Sequence, residues 1–367
     1  MRLALRELRR RRRAFVPTML ALALLVVLLL SLGGLLDGLF LDSTGALRQQ
    51  EAPLAVYSDS ARDSVIRSRI TPETRAVVDG VPGVARTSGF GVALVGGHVN
   101  GRSTVADTAV VGYEGGVRGV PAPPRPGTAW ADRSLEADGV AVGSTVRVGP
   151  SKIPLRVVGW VRDTNFLQQG GLWVEPGTWR EVLAESRPGA AVGDDTFQVV
   201  WVTPRPGVDT TGLAARIDRA TGDTDTLTRD DAVLAIPGIR EQRSTFTQII
   251  GTTYLVAALV VALFFALLTP ERTPMFGVLK AIGASTRQLA ATLVTQAVAV
   301  TAVAYVLGTV VGVGLALATP PEVPLTLTPG RAVSVAVGVL VAALLGSAVS
   351  LRRLSRIDPA SAIGTGT

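Results

Sequence analysis

Residues 14–36 read AFVPTMLALALLVVLLLSLGGLL, 23 consecutive positions without a charge. A helix rises about 1.5 Å per residue and the hydrocarbon layer is about 30 Å thick, so about 20 apolar residues span it. Three further uncharged stretches follow, at 244–270, 288–321 and 332–351, and only the last is near the minimum length. Four such windows in one chain predict an integral membrane protein. Their placement is uneven: one lies near the N-terminus, a polar block follows, and three close the chain. The expected architecture is therefore four transmembrane helices in a 1+3 arrangement, with a mixed α/β extracytoplasmic domain between the first and second.

Charge sets the expected orientation. The chain carries 36 basic and 29 acidic residues. Residues 1–13 hold seven arginines against Glu7. The segment after the second span holds Arg272, Lys280 and Arg287 against Glu271, and the tail holds Arg352, Arg353 and Arg356 against Asp358. With four spans these three segments share one side, and together they carry 13 basic and 3 acidic residues, while the remainder is slightly acidic. The positive-inside rule places them, and both termini, in the cytoplasm of a bacterial cell membrane. Basic residues beside spans fit anionic lipid, and nucleic acid is not an expected partner. The first span has a basic front like a signal peptide. However, it is longer than a signal core, and Leu35-Leu36-Asp37-Gly38 is not a small-x-small cleavage site, so an uncleaved anchor is expected.

The expected domains follow in order. A basic amphipathic segment (1–13) precedes span one (14–38), and an external α/β domain with stalk ends covers 39–243. Span two (244–269), a cytoplasmic loop (270–287), span three (288–319), an external loop (320–331), span four (332–351) and a cytoplasmic tail (352–367) complete the chain. There is no cysteine, so the external domain must be held by its own core. Within it, Leu54 to Tyr57 reads as a strand. Thr71-Pro72-Glu73 reads as a helix start, with Thr71 as cap, ending by Gly80. Asn100-Gly101 is a hairpin signal. The four prolines between Pro121 and Pro126 mark a loop. Short strands are expected within Val140–Val161 and over Thr196–Thr203, and a helix over Val208–Ala220. Pro237 starts the helix leading into span two.

The candidate functional segment is TPERTPMFGVLKAIGAS, residues 269–285. Thr269 can cap a helix opened by Pro270, and Gly283 can end it. Met275, Phe276, Val278, Leu279 and Ile282 form an apolar stripe at helical spacing. Such a helix either lies on the membrane surface or docks into a partner's groove.

ERTPMFGVLKAIGASTRQL, from Glu271 to Leu289, resembles the coupling-loop motif of MacB/FtsX-like (type VII) ABC transporter permeases. The tail Leu354-Ser355-Arg356-Ile357-Asp358-Pro359-Ala360 resembles the ending of the same family, and the 1+3 layout matches its topology. The VLKAIGAS run together with the N-terminal start is most similar to the HrtB/DevC-like branch, which includes heme-export permeases. The resemblance implies a non-catalytic permease that pairs with a second copy and stands on two copies of a separate ABC ATPase, which binds ATP and Mg. It implies no cofactor in this chain. Glu271, Arg272, Met275, Phe276, Val278, Leu279, Lys280, Ile282 and Gly283 become the ATPase-coupling residues. At Met275 many members carry an acid, so any contact of that acid with the ATPase is not carried over.

The implied function is ATP-driven export or extraction of a hydrophobic or amphipathic substrate (heme, lipid, drug or peptide) by mechanical transmission. The alternative is an FtsX-like signalling subunit that activates an external cell-wall hydrolase and transports nothing. The residues agree on one point: the sequence has no Gly-Lys dipeptide, hence no phosphate-binding loop, so energy must come from another chain. Gly308 and Gly312 form a GxxxG pattern in span three, fit for close packing within the subunit or between copies. His98 is the only histidine and reads as an exposed hairpin residue rather than an iron ligand. Asp223, Asp225, Asp230 and Asp231 read as a solvated acidic loop, lacking the glycine and glutamate of a calcium loop. No serine-histidine-acid set or zinc spacing is present.

Overall fold

The computed structural model describes residues 12–99, 105–281, 285–320 and 323–354. The chain divides into two units, one formed by Leu39–Gln242 and the other by the segments on either side of it. The first helix, α1 (Arg12–Arg48), contributes to both. The expected span one (14–38) is shorter than this helix, which runs on through Asp42-Ser43-Thr44-Gly45. The helix continues because those small residues form a contact face. The Thr44 hydroxyl donates back to the Phe40 carbonyl at 2.6 Å, Gly45 lies against the Asp163 carbonyl, and the Leu167 N–H donates to the Ser43 carbonyl at 3.0 Å.

In the Leu39–Gln242 unit, β1 (Leu54–Ser58) is followed by α2 (Pro72–Gly80), whose cap is the expected one: the Thr71 hydroxyl accepts from the Thr74 N–H. Then come β2 (Val84–Val99), β3 (Val105–Tyr113), β4 (Thr128–Asp132), β5 (Thr145–Val148), β6 (Ile153–Val161) and β7 (Gly170–Val174). The unit ends with α3 (Pro176–Ser186), β8 (Val199–Pro204), α4 (Thr210–Thr221), β9 (Thr224–Thr228) and α5 (Arg229–Leu234). The nine strands form one mixed sheet in the order β3-β7-β4-β6-β5-β2-β8-β1-β9. Because β2 also pairs with β3, six of the strands close into a ring. The 16-residue β2 makes this possible: its first half pairs with β8 and its last residues with β5. β2 and β3 run antiparallel from Phe90↔Tyr113 to His98↔Val105, and the Asn100-Gly101 turn signal lies outside the described residues.

Two glycines directly opposite each other on this ladder, Gly91 and Gly112, make the seat for α3. A Cβ on Gly112 would fall 2.5 Å from the Trp179 Cβ, and one on Gly91 would overlap the indole ring. Trp179 stacks on Phe197 with centroids 6.1 Å apart, and the Arg75 and Arg180 guanidiniums lie 5.6 and 5.0 Å from that ring. Arg75 also grips Glu114 with both terminal nitrogens, at 3.0 and 2.7 Å. Burial opposes ionisation of Glu114, but the Arg75 contacts and the Gly89 N–H hold its carboxyl below the ordinary range.

The second unit contains α6 (Ile239–Ala281) from Arg243 onward, α7 (Thr286–Ala318) and α8 (Pro329–Leu354) together with α1 up to Gly38. Each of the four helices has a window long and apolar enough to cross a bilayer. Leu22, Ala23, Ala257, Val261, Ala297, Val300, Ala304, Ala342 and Ala343 form the layer where all four meet. Alanine dominates it because lipid gives helices no hydrophobic drive to associate, and close backbone approach is what remains.

Candidate coupling helix and helix packing

The candidate coupling residues occupy the end of a long helix. Sequence expected a new helix opened at Pro270 and capped by Thr269, separate from span two. The structure instead carries α6 without interruption from Ile239 through Thr269, Pro270 and Pro274 to Ala281. A proline inside a helix removes one backbone bond, but a long hydrogen-bonded helix on either side can carry that loss. The backbone at Glu271, Arg272, Met275, Phe276, Val278, Leu279 and Lys280 is therefore helical. Ile282 and Gly283 lie outside the described residues. The next helix starts at once: the Ser285 hydroxyl accepts from the Gln288 N–H at 3.3 Å, and the Gln288 side-chain oxygen accepts from the Ser285 N–H at 3.1 Å. This capping box fixes where α7 begins, whereas the sequence reading places Ser285-Thr286-Arg287 at the end of the loop and Gln288 at the start of span three.

The GxxxG glycines face inward. A Cβ on Gly308 would meet the Ala23 carbonyl oxygen and Val26 at 2.7 Å, and one on Gly312 would meet Leu30 at 3.3 Å. Both positions seat α7 on α1 of the same subunit. Gly314, two residues on, faces open space. Two further glycines seat α8 on α6: Gly338 beneath the Tyr254 ring and Gly346 beside the Ala258 carbonyl. Gln296 is fully buried in α7.

The first two turns of α8 gather polar contacts that sequence did not bring together. Asp37, on α1, accepts from the Arg331 Nε at 3.1 Å and from its terminal nitrogen, and from the Thr328 hydroxyl at 3.2 Å. The Tyr305 hydroxyl of α7 donates to the Ala332 carbonyl at 2.9 Å, and the Tyr254 hydroxyl of α6 to the Ser334 carbonyl at 3.4 Å. Asp37 and Arg331 each border an uncharged run, and nothing in the local pattern pairs them across 294 residues.

The remaining sequence candidates lie apart on separate elements. His98 is exposed on β2 opposite Val105 and Arg147. The four aspartates do not share one loop. Asp225 lies on β9, while Asp230 and Asp231 occupy the first turn of α5, where carboxylates complement the helix N-terminus. Burial, and next the neighbouring Asp63, push the Asp225 carboxyl above its ordinary range. Among the described residues no three His, Cys, Asp or Glu side chains group as metal ligands.

Residues 249–359 match the FtsX-like permease C-terminal family. Over its whole length the chain is 22% identical to all of a protein described as the hemin transport system permease HrtB of Staphylococcus epidermidis. It is 25% identical to an uncharacterised ABC transporter permease of Mycobacterium tuberculosis, over 98% of each chain. Among solved structures, the periplasmic region of MacB from Actinobacillus actinomycetemcomitans aligns with 50% of this chain and 92% of its own, at 15% identity and a TM-score of 0.35.

Proposed function

This chain is an ABC transporter permease of the FtsX/MacB-like type, homologous to HrtB and to mycobacterial permeases, and from that premise we propose that it transmits ATP-driven motion from a separate ATPase to an amphipathic substrate outside the membrane. The observation that carries the reading is the unbroken course of α6. Its 43 residues amount to about 65 Å of helix, roughly twice the hydrocarbon thickness. A span that continues as helix into the segment 271–281 can carry a push along its axis, whereas a flexible joint at Pro270 would absorb it. In this reading two ATPase copies, holding ATP and Mg, grip that segment from the cytoplasm beneath a pair of permease copies. The basic residues around it face inward, and the Leu39–Gln242 unit lies outside.

The substrate class follows from the same features. None of the four uncharged runs contains an acid or base that could relay protons or hold an ion through the bilayer, so a hydrophobic or amphipathic cargo taken up at the outer face fits better than an ion. Hemin, named for the HrtB relatives, belongs to that class, as do lipids and apolar drugs or peptides. The test is reconstitution with the co-purifying ATPase in lipid discs. The reading requires stoichiometric ATPase capture and hydrolysis stimulated by small amphiphiles. Stimulation by an external hydrolase but by no amphiphile would assign the chain to signalling, and absence of any ATPase would refute coupling altogether.

A further inference from the structure

The first two turns of α8 are tied to all three other membrane helices, and the ties differ in strength. α1 holds it with a two-point carboxylate–guanidinium pair plus the Thr328 hydroxyl. α7 holds it with one neutral bond at 2.9 Å, and α6 with one at 3.4 Å, near the limit of a hydrogen bond. Charge-assisted two-point bonds are about twice as strong as neutral ones, and more so beside lipid than in water. The α1 attachment is also built into the backbone. The Thr326 N–H donates to the Gly34 carbonyl at 3.0 Å. Gly33 leaves room for the Arg331 side chain, whose Cδ would stand 2.5 Å from a Cβ there, and Gly38 lies against the Pro324 carbonyl. Leu327 packs against a cluster of Val26, Leu29, Leu30, Val335 and Val339, and Thr328 also accepts the Arg331 N–H at 3.1 Å, holding the start of the helix.

We propose that Asp37 and Arg331 are positioning residues that keep one end of α1 fastened to α8 as a fixed pivot through the ATPase cycle, while α6, the helix bearing the coupling segment and the weakest hydrogen bond at this end, moves against them. The stroke then rocks α6 about this end without parting α1 from α8. The mechanical part rests on the coupling role proposed above; the fastening itself does not.

The chain contains no cysteine, so Asp37→Cys with Arg331→Cys gives a clean thiol pair. In membranes holding the full chain and its ATPase, a short bifunctional thiol reagent should bridge the pair to the same yield without nucleotide, with ATP, and with ATP plus vanadate. A yield that falls in any nucleotide state overturns the fixed pivot. In lipid discs, Asp37→Asn should lower permease-stimulated ATP hydrolysis about fivefold or more, the lower end of usual site-to-site coupling. The bridged cysteine pair should recover the wild-type rate, which a residue needed only for folding would not require. Wild-type stimulation in the Asp37→Asn variant, or a bridge that blocks stimulation, contradicts the proposal. A wild-type chain that stimulates no ATPase would defeat the coupling role alone, and the bridging yields would still report on the pivot.

Discussion

Adding one methyl group at three neighbouring glycines of α7 should give three different results, because each faces a different space. At Gly308 the new carbon would lie 2.7 Å from the Ala23 carbonyl oxygen and from Val26, all of it α1 backbone or branched side chain that cannot swing away. Separation to ordinary contact requires α1 and α7 to part by several tenths of an ångström, and overpacking of this kind costs about 1–3 kcal/mol. Replacing a helical glycine by alanine returns about 1 kcal/mol, so Gly308→Ala should be destabilising by about 0–2 kcal/mol net. At Gly312 the nearest atom is the Leu30 Cδ1 at 3.3 Å, the far end of a side chain that can give way, so Gly312→Ala should be close to neutral. At Gly314 nothing lies within 4 Å, so alanine should stabilise by up to about 1 kcal/mol. The assay is the temperature at which each purified variant loses its monodisperse chromatographic peak in one detergent. The predicted order of stability is Gly308→Ala lowest, Gly312→Ala intermediate and Gly314→Ala highest. If Gly314→Ala were the most damaging, or if Gly308→Ala were more stable than Gly312→Ala, this pattern would not be packing within the subunit.

Leu279→Pro would add a third proline to the last turns of α6, removing another backbone donor at a cost of about 3 kcal/mol locally; ATPase stimulation should be lost while protease digestion of the Leu39–Gln242 unit is unchanged. Glu175→Ala should lower stability by about 1 kcal/mol, because Glu175 caps α3 by accepting from the Gly177 and Thr178 N–H groups; thermal melting monitored by tryptophan fluorescence reads this through Trp179. Asp225→Asn should raise the melting temperature at neutral pH. Because folding raises this carboxyl's pKa, its favourable contribution is present below the ordinary aspartate range and is lost as pH rises through the folded value. The difference between variant and wild type should therefore shrink as pH falls toward 4, and a difference that grew on acidification would reverse the assigned direction.

Much of the architecture was legible because lipid imposes a simple rule: uncharged runs longer than the hydrocarbon layer become helices that cross it. The Thr71-Pro72 start of α2 was legible for a local reason, since cap, proline and acid coincide. α3 was missed although Glu175-Pro176 opens it, because glutamate is not among the favoured caps and only the folded chain shows its carboxylate receiving two N–H groups. Pro270 was misread as a helix start because local pattern cannot weigh a proline against helix that extends well beyond it on both sides. The closed ring of strands was hidden as well. It depends on parallel pairing of β3 with β7 and β4 with β6, and no hairpin signal announces a parallel pair. Asp37 and Arg331 read only as the ends of uncharged runs; that they meet is a fact of packing alone.

The central claim is that the end of α6 faces the cytoplasm, where a separate ATPase can grip it. In a chain without native cysteine, Lys280→Cys and His98→Cys report the two sides of the membrane separately. Right-side-out vesicles treated with a membrane-impermeant thiol reagent should label position 98 at once and position 280 only after permeabilisation. Immediate labelling of position 280, with position 98 protected, would contradict the account.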